Sequence, residues 1–427
     1  MDDRRDFLKT ATTAALTTSL FTGNVKGAND RVRAAFIGMG RMGRGNLGAA
    51  MKQDNLEVVA VCDVYKPHLE KAVELTKGQA KGIKDFREIL ADKSVDVVCI
   101  STPDHWHPYM TIEACKAGKD VYVEKPICVT VDEGAKMVQA AHKYKRVVQA
   151  GTMQRSGDHF RKAAEIVRSG EIGQVTFVRT WNYGLMKKEG IGNPTDTKPP
   201  ADLDWEMWLG PAPMREFNAN RFGVDPNAFS HFRWFWDYAG GMMTDWGIHL
   251  LDIVQMAFNE VMPTSITALG GKYRLTDNRE TPDTLQVTYE YPGFIATYEN
   301  RYGNNNSMFD KGYGILFHGD KGTLFVDRSL YKLIPEKGSE VQETEVKSGN
   351  NANVAHWANF LDCVKTRQKP NSDIEYCQRS STTCILGNVS LRSKMRLDWD
   401  AKRWTTVQSE PRKFLSREER KPWRLSV

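Results

Sequence analysis

Three glycines, Gly38, Gly40 and Gly43, stand in a Gly-x-Gly-x-x-Gly array, with Arg41 and Met42 filling its last gap. An apolar run, VRAAFIGMG over 32–40, leads into it. In that setting the first glycine permits a tight strand-to-helix turn. The second lets backbone approach a pyrophosphate, and the third lets the helix pack on the strand. The following segment, from about residue 42 to 52, presents first-turn N–H groups to that pyrophosphate. A second strand, LEVVAVCD (56–63), closes on Asp63. A carboxylate there accepts from both ribose hydroxyls of NAD and repels the 2′-phosphate of NADP. The chemistry expected is hydride transfer with NAD as cofactor; a helix-capping aspartate is the structural alternative.

Further candidates lie at later strand ends. VDVVCIS (95–101) is a continuous apolar strand of the parallel-sheet kind. It runs into Thr102, Pro103, Asp104, His105, Trp106 and His107. Thr102, Pro103, His105 and His107 are expected beside the cofactor, the two histidines on the nicotinamide side. No metal is expected, because the histidines sit in a turn with no Cys or carboxylate at ligand spacing. DVYVEKP (120–126) carries Glu124 and Lys125 to the end of another strand, where both are expected to contact the cofactor, as are Arg41 and Met42 in the glycine loop. In GGMMTDWGIHLLDIVQMAF (240–258), Asp245 and His249 are four residues apart, one turn of a helix. Asp245 could orient His249 for proton abstraction, and the spacing serves equally well a capping Asp and a packed core His. Trp181, Tyr183, Trp234 and Trp236 could stack on a sugar ring. Arg233 could bind a hydroxyl or carboxylate, and Asn182 and His231 are polar candidates. Core or interface packing explains each of these as well.

The elements that must position these groups fall into two kinds. Residues 31–153 alternate strand and helix and predict a Rossmann domain that binds NAD. From 154 to 400 the pattern changes. A helix at about 158–168 precedes a strand at 174–184 and a Gly/Pro-rich loop at 184–204. Segments 263–272, 284–291, 294–301, 313–318, 322–327 and 340–347 show strand alternation, and 352–366 and 375–393 are amphipathic helices. The expected class is α/β: a Rossmann domain followed by an α+β domain with a large open, mostly antiparallel sheet.

Charge narrows the partners. The chain has 59 Lys+Arg against 53 Asp+Glu, a net charge of +6. The tail 401–427 holds eight of the cations and three of the acids, so nearly all the surplus is there. That argues against nucleic-acid binding. The cations are interleaved with Trp404 and Trp423, which suggests a tail wrapped on a neighbouring subunit. Seven Cys without a CxxC pair exclude a simple disulfide framework. No apolar run is long enough for an integral membrane span. Residues 1–30 place Arg4 and Arg5 before Phe7, Leu8 and Lys9 and a soft Ala/Thr-rich stretch. This resembles a twin-arginine signal, so the export machinery is an expected partner and the periplasm an expected location.

Gly38-x-Gly40-x-x-Gly43, Glu124-Lys125-Pro126 and Asp245-x-Gly247-x-His249 together resemble the glucose–fructose oxidoreductase/inositol dehydrogenase (Gfo/Idh/MocA) family over most of the chain after residue 31. The resemblance implies that Lys125 binds the reacting hydroxyl, His249 is the acid/base and Asp245 supports it. It implies an NAD-dependent oxidoreductase acting on a sugar or glycoside secondary hydroxyl. A branch that cleaves glycosides through transient oxidation and elimination is the alternative, and a non-catalytic scaffold a third. It also implies a homodimer or homotetramer joined through the open sheet. An exported member would have to retain its NAD. The substrate-side loops, 184–236, would decide which sugar is taken.

Overall fold

The structure is a computed structural model and describes residues 31–223 and 230–427. The export segment expected at 1–30 lies outside the described residues.

The first sheet is built from β1 (Val32–Ile37), β2 (Leu56–Cys62), β3 (Lys81–Ile83), β4 (Val97–Ile100), β5 (Asp120–Val123) and β6 (Val148–Ala150). Its order is β3-β2-β1-β4-β5-β6, with every pairing parallel. Helices cover both faces, which is why these strands are apolar throughout rather than alternating. The order reverses between β1 and β4, and a crevice opens at the carboxyl ends of these strands.

The second sheet contains β7 (Val175–Leu185), β8 (Ser265–Gly271), β9 (Thr284–Tyr291), β10 (Phe294–Arg301) and the short β11 (Gly303–Asn304). It continues with β12 (Tyr313–Gly319), β13 (Gly322–Val326), β14 (Leu330–Pro335), β15 (Thr344–Lys347), β16 (Leu397–Asp400) and β17 (Thr405–Thr406). The order is β15-β14-β13-β12-β7-β10-β9-β8-β16-β17, with β11 on β7. Only β7 and β10 pair in parallel. Along β9, Leu285, Val287, Tyr289 and Tyr291 are buried while Gln286, Thr288 and Glu290 are exposed. The buried face packs on helices Asp158–Ser169, Gly247–Ala257 and Ile374–Ser393. The architecture is the Rossmann domain plus open, mostly antiparallel sheet expected from the sequence.

Several details differ, among them the short strands β3, β11, β16 and β17, which the sequence reading does not include. The sequence reading omits β14, whose Lys332 and Pro335 obscure a buried Tyr331/Leu333 alternation. The run 240–258 is two helices, Gly241–Asp245 and Gly247–Ala257. At the junction His249 N–H donates to Trp246 O, a three-residue step that tightens the turn. The C-terminal tail, expected to wrap a neighbouring subunit, packs part of its length on its own chain. Trp423 is 8% exposed and lies edge-on to Trp106 at 4.9 Å and Tyr109 at 5.3 Å. Arg417 pairs with Glu133 at 2.6 Å and donates to the carbonyls of His105 and Asp237. Helix Ala352–Thr366 also returns to the first sheet, where Trp357 stacks on Tyr122 at 4.5 Å. No helix among the described residues is long and apolar enough to cross a membrane.

Candidate active site

A cavity of about 400 Å³ lies between the carboxyl ends of the first sheet and the second domain. Gly38, Gly40, Arg41, Met42, Asp63, Thr102, Pro103, His107, Glu124 and Lys125 line one side. Arg233, Asp245, Trp246, His249 and Arg328 line the other.

The nucleotide end fits a dinucleotide. Gly38 has φ +86°, and a Cβ there would come within 2.6 Å of Thr102 N. A Cβ on Gly43 would overlap the Gly38 carbonyl, so this glycine serves helix packing and does not line the cavity. A Cβ on Gly40 would meet only His68, at 3.9 Å, and would take up room at the cavity wall. Its absence leaves a cradle for phosphate. Asp63 is pinned at the end of β2 by the N–H groups of Met39 (2.6 Å) and Tyr65 (2.8 Å). Each of its oxygens keeps a lone pair for a ribose hydroxyl. Asn46 ties the helix Arg41–Ala50 to the end of β5 through Glu124 at 2.9 Å and Ser101 at 3.1 Å.

At the other end, Lys125 Nζ lies 2.9 Å from Asp245 Oδ1, and Arg233 lies 2.5 Å from the same oxygen. Burial opposes the charge on Asp245, but Arg233 and Lys125 together hold its carboxyl well below the usual range. The carboxylate therefore addresses these cations, and no hydrogen bond to His249 forms. His249 Nδ1 is buried without a hydrogen-bond partner among the described residues. Burial first, then Lys125 and Arg328, push the His249 pKa well below 6.5, so the ring is a neutral base.

His107 lies between Pro126 O (2.7 Å from Nδ1) and Thr102 O (2.8 Å from Nε2); burial pushes it down to about 4, so the neutral ring donates its single N–H to one of the two carbonyls. It sits between the Lys125–Pro126 segment and the end of β4. His105 is turned away from the cavity: its Nε2 lies 3.1 Å from Trp208 O and its ring packs on Trp208 and Tyr238. The sequence places both histidines beside the cofactor; the cavity wall takes only His107.

Of the sugar-binding candidates, only Arg233 lines the cavity. Asn182, Tyr183, His231 and Trp234 do not. Asn182 accepts from Asn300 at 3.1 Å, Tyr183 lies under Arg301 at 3.7 Å, and Trp234 lies under Arg279 at 4.3 Å. His231 Nδ1 is buried without a partner among the described residues. Trp181 is fully buried and Trp236 lies under Arg392 at 4.9 Å. β7 is an interior strand, so Trp181 and Tyr183 pack with Leu316 and Phe325.

Sequence reasoning missed Asp104, Trp246 and Arg328. Asp104 is 7% exposed, and burial, partly offset by Lys125 and Arg233, pushes its carboxyl up to about 8. Its place at the end of an apolar strand was the available signal. Trp246, inside Asp-Trp-Gly-Ile-His, was another. Nothing local marks Arg328, which reaches the cavity from the turn between β13 and β14.

Residues 32–152 match the model of the oxidoreductase family with an NAD-binding Rossmann fold, and residues 171–425 match that of its C-terminal alpha/beta domain. An inositol 2-dehydrogenase of Salmonella typhimurium is 33% identical over 154 residues, 36% of this chain and 46% of that protein. A glycosyl hydrolase family 109 protein of Shewanella pealeana is 29% identical over 154 residues, 34% of each chain. The matches thus span less than half the length of these relatives. Among solved structures, the aldose-aldose oxidoreductase from Caulobacter crescentus has a TM-score of 0.66 at 19% identity, covering 86% of this chain and 99% of that one. The WlbA dehydrogenase from Bordetella pertussis has a TM-score of 0.65 at 19% identity, covering 87% and 99%. These two likenesses establish the fold. With both of its domains matched to the family's models, the chain belongs to the Gfo/Idh/MocA oxidoreductase family and carries its NAD-binding Rossmann domain.

Proposed function

We propose that the chain oxidises a secondary hydroxyl of a sugar or glycoside with NAD, and that the cofactor stays bound through turnover. The observation that carries this reading is the meeting of Lys125 and His249, from different domains, in one cavity with the glycine cradle. NAD, when bound, supplies the hydride acceptor. His249, neutral and buried, takes the hydroxyl proton. Lys125 donates to the oxygen as it becomes an alkoxide. Asp245 fixes the Lys125 ammonium, and Arg233 keeps Asp245 ionised. Trp246, part-buried in the cavity wall, carries the Arg328 guanidinium 4.6 Å over its ring and so shapes the substrate end.

A second reading is favoured by the partial match to family 109 glycosyl hydrolases. In it a ring hydroxyl is oxidised, an adjacent C–H is deprotonated, the aglycone leaves, water adds and the ketone is reduced back. The protein as purified is incubated with a glycoside panel, following nicotinamide reduction and sugar mass together. Persistent reduction with a keto-sugar supports oxidation. Free aglycone without net reduction supports cleavage. Neither signal with any sugar rejects both.

Assembly through the open sheet is proposed as well, supported by Leu269 at 74% and Ile295 at 42% exposure. Export by the twin-arginine route, resting on Arg4 and Arg5, completes the reading.

A further inference from the structure

Arg328 is a cation of the cavity that no carboxylate pairs with among the described residues. Its Nε donates to Gln154 Oε1 at 3.1 Å, and that is the only hydrogen bond its side chain makes to the described residues. Its guanidinium lies over the Trp246 ring at 4.6 Å and near the Tyr313 ring at 6.0 Å. The neighbouring acids are committed elsewhere. Asp245 is held by Lys125 and Arg233. Glu124 accepts from Asn46 and from the N–H of Lys125. Asp104 keeps its proton at neutral pH, since burial raises its carboxyl. A guanidinium does not shed its charge, and leaving it partly desolvated without a counter-ion is costly. Its two terminal nitrogens form a planar fork suited to a carboxylate.

We infer that Arg328 recognises a carboxylate on the substrate, so that the sugar is a uronic acid or a glycoside of one. This rests on the reading of the cavity as a sugar-oxidising site. The geometry fits a ring spanning from base to guanidinium. Both groups lie close to Trp246 in the same cavity: the Arg328 guanidinium is 4.6 Å over its ring, and the His249 ring centroid is 6.1 Å from it. A sugar held in that cavity with its reacting hydroxyl at His249 would have Arg328 within reach of a carboxylate elsewhere on the ring. One unmatched guanidinium balances the single charge of a carboxylate, whereas a phosphate would bring about two.

The full-length protein with its cofactor is assayed on matched pairs, methyl glucuronide against methyl glucoside and methyl galacturonide against methyl galactoside. The expected result is a uronate kcat/KM about 10-fold or more above that of the neutral partner. Arg328→Met should cut the uronate-to-neutral ratio by about 10- to 100-fold, mainly through KM. Arg328→Lys, which keeps the charge without the fork, should restore part of it. Cofactor content per chain shows that each variant is folded. Preference for the neutral partner, better turnover of a sugar phosphate than of a uronate, or equal losses on both members of a pair in Arg328→Met would each overturn the inference. If no sugar is oxidised, uronate binding is read from tryptophan fluorescence. Binding that depends on Arg328 then upholds the carboxylate site and rejects oxidation as the reaction, while lack of uronate binding rejects the carboxylate site.

Discussion

Asp104→Asn should stabilise the protein, and by an amount that grows with pH. Asp104 is 7% exposed at the cavity wall, and its carboxyl is pushed from 3.8 up to about 8, chiefly by burial. Between those values the unfolded chain has released this proton and the folded protein has kept it. Stability therefore falls as pH rises through this window, and the loss levels off above about pH 8. Each pH unit is worth about 1.4 kcal/mol, so the advantage of Asp104→Asn should grow by roughly 3 kcal/mol from about pH 5 to about pH 7. Urea unfolding of both proteins, saturated with NAD at each pH and followed by tryptophan fluorescence, measures it. A difference that does not change with pH would show that Asp104 ionises in place and would refute the reasoning. Activity supplies a second reading. Above about pH 8 an ionised Asp104 would compete for Lys125 and Arg233, and turnover of an anionic sugar should decline there in the native protein.

Asp63→Ala should weaken NAD binding by about 1–3 kcal/mol and NADP binding less, measured by calorimetry; equal losses would remove Asp63 from cofactor choice. Trp423→Ala should destabilise by about 3 kcal/mol, because a buried ring leaves an aromatic pocket on the first domain. An unchanged melting temperature would mean that the tail is merely laid on the surface. Arg4→Lys with Arg5→Lys should hold the protein in the cytoplasm in a fractionation of the host, and continued export would point to another route.

The nucleotide half was legible because its constraints are local. Gly38 needs a positive φ and Gly43 a missing Cβ, and both needs come from neighbours close in sequence or in the adjoining strand. Asp63 and Lys125 were legible for a related reason, since a strand end fixes where a side chain emerges. The substrate half depends on longer-range choices. Helical spacing paired Asp245 with His249, yet the carboxylate follows the stronger pull of Lys125 and Arg233. His105 and His107 look alike in sequence, but they sit on either side of the step from a short 3₁₀ turn into a helix and point different ways. The tryptophans of β7 and its surroundings serve packing, which composition does not distinguish from sugar stacking. Arg328 is brought in by a turn of the far sheet, so its chemistry exists only once the two domains have met.

The assignment of Lys125 and His249 is tested most directly by a single-turnover experiment on the protein as purified, with a sugar that it oxidises and with His249→Ala and Lys125→Met beside it. The native protein should develop the reduced-nicotinamide absorbance in step with keto-sugar formation. Both variants should retain the cofactor, yet reduce it more slowly, by about 10²-fold or more for Lys125→Met and by a comparable factor for His249→Ala. Reduction at the native rate in either variant, with cofactor content unchanged, would contradict the placing of proton transfer at His249 and of alkoxide stabilisation at Lys125.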